Sequence, residues 1–171
     1  MKLKFKNNLI NYGFVTLLIL IVAAMVVVNV KDYQSVQLVK AEMQKYGESL
    51  TVARVKALAG ERFKEFEQIP FAYGLYFNND EQSLVVCADM NGDFDCVLSE
   101  FVQTEKLSDQ IKVNEFHTIN FLKYKTVDGV CLDDNCDLGG ELLVAEFARK
   151  DKPEIISQMF YDADNSRFVI E

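Results

Sequence analysis

No proline occurs between Met1 and Pro70, and the whole chain of 171 residues has only two. Proline ends helices by removing a donor and clashing with the preceding turn, so nothing in the first 69 residues forces a helix to stop. Acids are missing from residues 1–13, MKLKFKNNLINYG, where Lys2, Lys4 and Lys6 carry the only side-chain charges. Histidine occurs once, at His117, with no serine or cysteine motif to make it a catalytic base. Glycine-rich phosphate loops, internal repeats and low-complexity linkers are absent too, so no active site and no enzymatic role is expected. Four cysteines, Cys87, Cys96, Cys131 and Cys136, form two close pairs, but neither is a CxxC. Zinc knuckles are tighter than these spacings, whereas an even count in an exported domain points to disulfides. Three connectivities are open, and proximity favours Cys87–Cys96 with Cys131–Cys136.

Half of the chain is hydrophobic and 12% is aromatic, which supports a packed core and excludes wholesale disorder. The net charge is −8, and setting aside the three lysines of residues 1–13 leaves −11 for the rest. Such an acidic surface repels phosphate backbones and argues against nucleic-acid binding.

An apolar run, FVTLLILIVAAMVVV, extends from Phe14 to Val28, with Asn29 and Val30 before Lys31. It is at the short limit for crossing a ~30 Å hydrocarbon core, and Leu9 and Ile10 extend it. The preceding lysines belong on the cytoplasmic side, which sends the C-terminal part outward. No small-x-small cleavage site follows the run, so the anchor is expected to stay. Beyond it Val36, Val39, Met43, Tyr46, Leu50, Ala53, Ala57 and Gly60 recur at alternating spacings of three and four. That is one apolar stripe on a continuing helix. The reading is a basic leader at 1–13, a membrane span at 14–30 and an amphipathic stretch at 31–69, with one helix from 14 to about 66. An extracytoplasmic β-rich domain follows at 70–171.

From residue 70 the period shifts towards two. Strands are expected at 71–77, 83–88, 96–104, 117–124, 141–148, 154–161 and 167–170, separated by turn signals such as Asn91-Gly92, Asp128-Gly129 and Gly139-Gly140. One helix followed by runs of strands implies an α+β fold, the stripe covering an antiparallel sheet.

One stretch carries a metal-ligand spacing. In DMNGDFDCVLSE, residues 89–100, a twelve-residue calcium loop would take Asp89, Asn91 and Asp93 at positions one, three and five. Asp95 would supply a carbonyl at position seven and Glu100 a bidentate carboxylate at position twelve. Phe94 stands at position six, where glycine is usual, so it must take an awkward backbone angle or a different turn. The same residues also read as a solvated acidic hairpin turn at Asn91-Gly92. A disulfide between Cys87 and Cys96 would clamp the base of either. In the second acidic loop, Asp133, Asp134 and Asp137 do not match the calcium register, and a solvated, disulfide-closed tip is expected. Glu141 and Glu146 are five apart on one strand and so face opposite sides of the sheet, which does not suit paired acid–base work.

The basic leader ending in Gly13, then Phe14, an apolar run and a long amphipathic helix resembles a type IV prepilin. The family pattern is Gly-Phe-Thr-Leu-Ile-Glu, and here the stretch is Gly13-Phe14-Val15-Thr16-Leu17-Leu18. Leu18 replaces the family's glutamate, which is also missing from some tip subunits. LTVARVKALA at 50–59 is similar to the end of the first helix in minor pseudopilins of the H type, and PFAYGLYF at 70–77 to the first strand of related proteins. The resemblance implies cleavage between Gly13 and Phe14 by a prepilin peptidase in the inner membrane. It also implies assembly with other pilin or pseudopilin subunits through the N-terminal helix, in a type IV pilus or type II secretion-like filament. The rival expectation is an uncleaved, signal-anchored protein whose outer domain binds a ligand or calcium.

Overall fold

The computed structural model describes residues 2–63, 68–125, 129–133 and 135–171, with side chains described from Tyr12 onward. The chain divides into two compact units, Met1–Gln37 and Leu38–Glu171. The first helix, α1, runs Lys2–Ala59 without interruption, consistent with the absence of proline, and starts earlier than the expected residue 14. In the first unit every large apolar side chain from Phe14 to Val30 is exposed. An 18-residue window of this helix has a mean hydropathy of 2.7 and none of it is buried. A soluble core helix would hide such residues. This one is long and apolar enough to span a membrane.

In the second unit the stripe is buried as its spacing requires. Val39, Met43, Tyr46, Leu50, Ala53 and Ala57 are each at most 2% exposed. Val36, at the start of the expected stripe, belongs to the first unit, and Gly60 has a different task. It sits just past the helix with φ +59°, a left-handed conformation that costs glycine little. Its N–H donates to the Ala57 carbonyl, and the N–H of Glu61 reaches back to that of Lys56, both at 3.1 Å. This pair of bonds closes the last turn as a Schellman motif, so the helix ends at Ala59 rather than near 66. Of the expected helical residues beyond it, 64–67 lie outside the described residues.

Among the described residues nine strands follow, all paired antiparallel. β1 (Ala72–Asn78), β2 (Ser83–Asp89), β3 (Phe101–Lys106), β5 (Ile119–Leu122) and β6 (Val130–Leu132) form one sheet, ordered β3-β2-β1-β5-β6. β4 (Ile111–Phe116), β7 (Glu141–Arg149), β8 (Ile156–Asp162) and β9 (Arg167–Ile170) form the other, ordered β4-β7-β8-β9. The fold is therefore α+β as expected, but the helix packs on two sheets where one was anticipated. Leu75, Leu84, Val86, Ile119 and Phe121 from the first sheet share one apolar cluster with Val144, Phe147 and Met159 from the second and with the stripe. Ring contacts join the sheets directly, Phe77 to Phe116 at 5.6 Å and Phe121 to Phe168 at 6.2 Å between centroids.

The differences from the expected strands are local. The strand placed at 96–104 begins only at Phe101, after a 3-10 turn at Leu98–Glu100. β4 and β6 were not anticipated, and the span 117–124 contributes only Ile119–Leu122. The link His117-Thr118 between β4 and β5 carries the chain from one sheet to the other.

Candidate functional site

Along β2, Leu84, Val86 and Ala88 join the helix-facing core. By alternation Val85, Cys87 and Asp89 face the other side of the sheet, yet each is at most 1% exposed. Something covers that outer face, and it is the acidic loop after β2. Three contacts hold it down. Cys87 and Cys96 form a disulfide, with Cα atoms 5.9 Å apart. The Tyr76 hydroxyl lies 2.7 Å from the Phe94 carbonyl. The Phe71 and Phe94 rings meet edge-on at 5.9 Å. The loop is thus a cover, not a hairpin tip projecting into water. Cys96 lies outside β3, so the disulfide ties loop to strand rather than strand to strand.

The expected cation ligands divide into two groups. Asp89 is fully buried and Glu100 is 8% exposed. The Asp89 carboxylate accepts from the N–H groups of Asn91 (3.2 Å), Gly92 (2.7 Å) and Phe94 (3.3 Å). The Glu100 carboxylate accepts from those of Met90 (3.2 Å) and Val97 (3.4 Å). Asn91, Asp93 and Asp95 are exposed and linked in series: Asn91 Nδ2 donates to Asp93 at 2.6 Å, and the Asp95 N–H to Asp93 at 3.0 Å. Phe94 takes the awkward angle, at φ +59°. Among the described residues, no group of three or more histidine, cysteine or acidic side chains is arranged to hold a metal ion.

Next to this loop the outer face carries a polar cluster that the sequence reading passed over. Asn120 on β5 is fully buried, and its Oδ1 lies 2.9 Å from the Tyr76 hydroxyl. One hydroxyl proton cannot serve both Asn120 and the Phe94 carbonyl. As oriented, Asn120 Nδ2 has no partner. Turning the amide over lets Nδ2 donate to the tyrosine oxygen, which then donates to Phe94. Gly74 makes this possible: a Cβ there would overlap Asn120 Oδ1 and the Tyr76 ring. Burial pushes the Tyr76 hydroxyl well above its usual range, and the charges of Asp89, Asp95 and Glu100 push it further the same way.

The second acidic loop closes with a Cys131–Cys136 disulfide, Cα atoms 4.1 Å apart. Asp133 is exposed and points back to the sheet junction, accepting from the Thr118 N–H at 2.9 Å. Asp137 is exposed, and Asp134 lies outside the described residues. His117 Nδ1 is 2.8 Å from Asp133 and its Nε2 is 3.2 Å from Glu115. Only the imidazolium can donate to both carboxylates at once, and the Asp133 hydrogen bond is the main cause raising the His117 pKa. The lone histidine is a brace between the sheets. Glu146 accepts from Asn114 and Gln158, a structural use, while Glu141 is exposed at the start of β7; against expectation the two share one face of the sheet, because a bulge between Leu143 and Ala145 sets them opposite Asp162 and Gln158.

Two outcomes follow. Asp89→Ala leaves three loop N–H groups without their acceptor, and unsatisfied buried groups cost about 1–3 kcal/mol each. Urea unfolding should show a loss of at least that size, while Asp93→Ala, in the exposed part of the loop, should change little. For His117, a folded pKa raised above about 6.5 means its contribution is complete below that pH and disappears as pH rises through the folded value. The gap in urea midpoint between wild type and His117→Gln should therefore be wide at pH 6 and close by pH 9. A gap that widens with pH would contradict the brace.

Comparison with protein-family models, with curated proteins and with solved structures finds no match.

Proposed function

We propose that this chain is a prepilin-like minor subunit of a type IV pilus or type II secretion-like filament, non-enzymatic and acting by assembly. The observation that carries this is α1 itself. One unbroken helix exposes apolar side chains from Phe14 to Val30 and buries a stripe from Val39 to Ala57. A subunit of this kind waits in the cytoplasmic membrane with its β-rich domain outside. Its apolar segment then exchanges lipid for the helices of neighbouring subunits. The two disulfides suit an oxidising compartment. Gly13 is an open position where an added Cβ meets nothing within 4 Å, and Phe14 is exposed beside it.

Mass spectrometry of protein purified from its own cells tests this. The mature chain should begin at Phe14, and Gly13→Leu should leave it starting at Met1 and absent from filaments. Wild-type protein that still begins at Met1 would refute the prepilin reading.

The second reading is a signal-anchored protein whose outer domain takes up calcium at residues 89–100. It is favoured by Phe94, whose φ of +59° reproduces at loop position six the conformation that glycine normally supplies. Extracytoplasmic calcium sites bind at roughly 10⁻⁴ to 10⁻³ M. Full-length protein in detergent should then melt higher in several millimolar calcium than in magnesium or chelator. Saturation 100-fold over the dissociation constant adds about 2.7 kcal/mol, and Glu100→Gln should remove most of the gain. Superimposable melts in all three solutions would leave the loop as a cover that its own amides hold shut.

A further inference from the structure

The cover does not seal the outer face completely. Between the loop and the sheet lies a cleft of about 430 Å³. Tyr76, Phe94 and Phe101 contribute aromatic surface to it, and Asp95 and Asp133 stand exposed at its rim. A second hollow of about 340 Å³ shares Tyr76, Phe77 and Thr118 with the first and adds Phe116 and Glu115. Among the described residues, no lysine or arginine lines either hollow.

We propose that this double cleft is a docking groove for an extended segment of a partner protein in which lysine or arginine alternates with apolar residues.

Charge complementarity carries the choice of occupant. Aromatic faces attract ammonium and guanidinium groups, and carboxylates at the rim pair with them. Asp95, among the residues lining the cleft, gives it the matching sign. The part of the chain beyond the leader carries a net −11 once the leader's three lysines are set aside, which steers a basic segment towards it. Shape favours a peptide over a small amine. Both hollows are open and adjoin at Tyr76, Phe77 and Thr118, so a lone amine would leave much of its surface in water, whereas an extended chain can seat successive side chains in both. Asp133 and Glu115 are both engaged by the His117 imidazolium, which makes Asp95 the cleaner substitution. The groove is independent of the calcium reading, in which Asp95 supplies only its backbone carbonyl.

Isothermal titration of the full-length protein in a non-ionic detergent tests this with four probes. They are a capped pentapeptide alternating leucine and lysine, the same peptide with glutamine for lysine, the same with glutamate, and free agmatine. The lysine peptide should bind saturably and weaken as salt rises. The glutamine peptide should bind at least fivefold more weakly and the glutamate peptide not at all. Asp95→Asn should weaken the lysine peptide about fivefold, the upper end for one exposed ion pair. Phe101→Leu, an independent change to the aromatic wall, should weaken both peptides that bind. Glu141→Gln, outside the cleft, should change nothing. Equal binding of the lysine and glutamine peptides, absence of binding, or equal losses from Asp95→Asn and Glu141→Gln would overturn the groove. Agmatine binding as tightly as the peptide would overturn the assignment to a protein segment.

Discussion

Val39, Met43, Tyr46, Leu50, Ala53 and Ala57 are nearly or wholly removed from water, and the burial of this one stripe organises the β-rich domain. Each large member contributes about 1.5–3 kcal/mol. Neither sheet could keep its apolar face wet, and both meet on the same helix: the Tyr46 ring touches Phe116 and Phe147, at 5.6 and 5.8 Å. Polar groups on α1 are placed to suit. Glu42, 3% exposed, receives the Ser108 N–H at 3.2 Å and the Lys45 ammonium at 3.1 Å. A buried carboxylate without such partners would cost several kcal/mol. At the helix end the Ala57 carbonyl accepts from Tyr124 as well as Gly60, so the turn after β5 is registered to the last turn of α1.

Away from the helix, a different economy of contacts operates. Five backbone N–H groups of a loop that would otherwise need water are taken up by two carboxylates, Asp89 and Glu100. That is how an acidic segment lies down on a sheet face instead of standing off it. The disulfides reinforce this arrangement over short range. Their cysteines are nine and five residues apart, and loops of that size restrict the unfolded chain by about 2–3 kcal/mol each. They hold local covers shut, while the helix and sheets carry the global fold.

What could be read beforehand follows from the range of the signals. The stripe and the missing prolines are periodic, local features, so the helix and its buried face were legible. The end at Ala59 was overshot because Gly60 fits the apolar period and ends the helix at the same time. β4, with the sequence IKVNEF, has one buried and two half-buried apolar residues among polar ones, too weak an alternation to stand out. The covered outer face had one visible sign. Leu84 to Ala88 is an uninterrupted apolar run, which marks a strand buried on both sides. That the covering element would be the acidic loop depends on tertiary contacts from Tyr76 and Phe71, and no spacing rule encodes those. The pairing of the cysteines was legible from proximity, but the joining of His117 to Asp133 across sixteen residues was not.

Among the described residues the strand order leaves four edges, β3, β6, β4 and β9, with Leu132 of β6 already paired to Asn135. Such edges invite a second chain to add its own strand. Each is blunted. β6 has only three residues, and β9 has four and opens with the exposed Arg167. β4 carries exposed Lys112 and Glu115 beside a bulge at Val113, and β3 ends in Glu105 and Lys106. Crowded copies therefore have no flat ribbon on which to template sheet growth. A contact between two copies at these edges would rest on side chains rather than on main-chain ladders, and could part again without unfolding either chain.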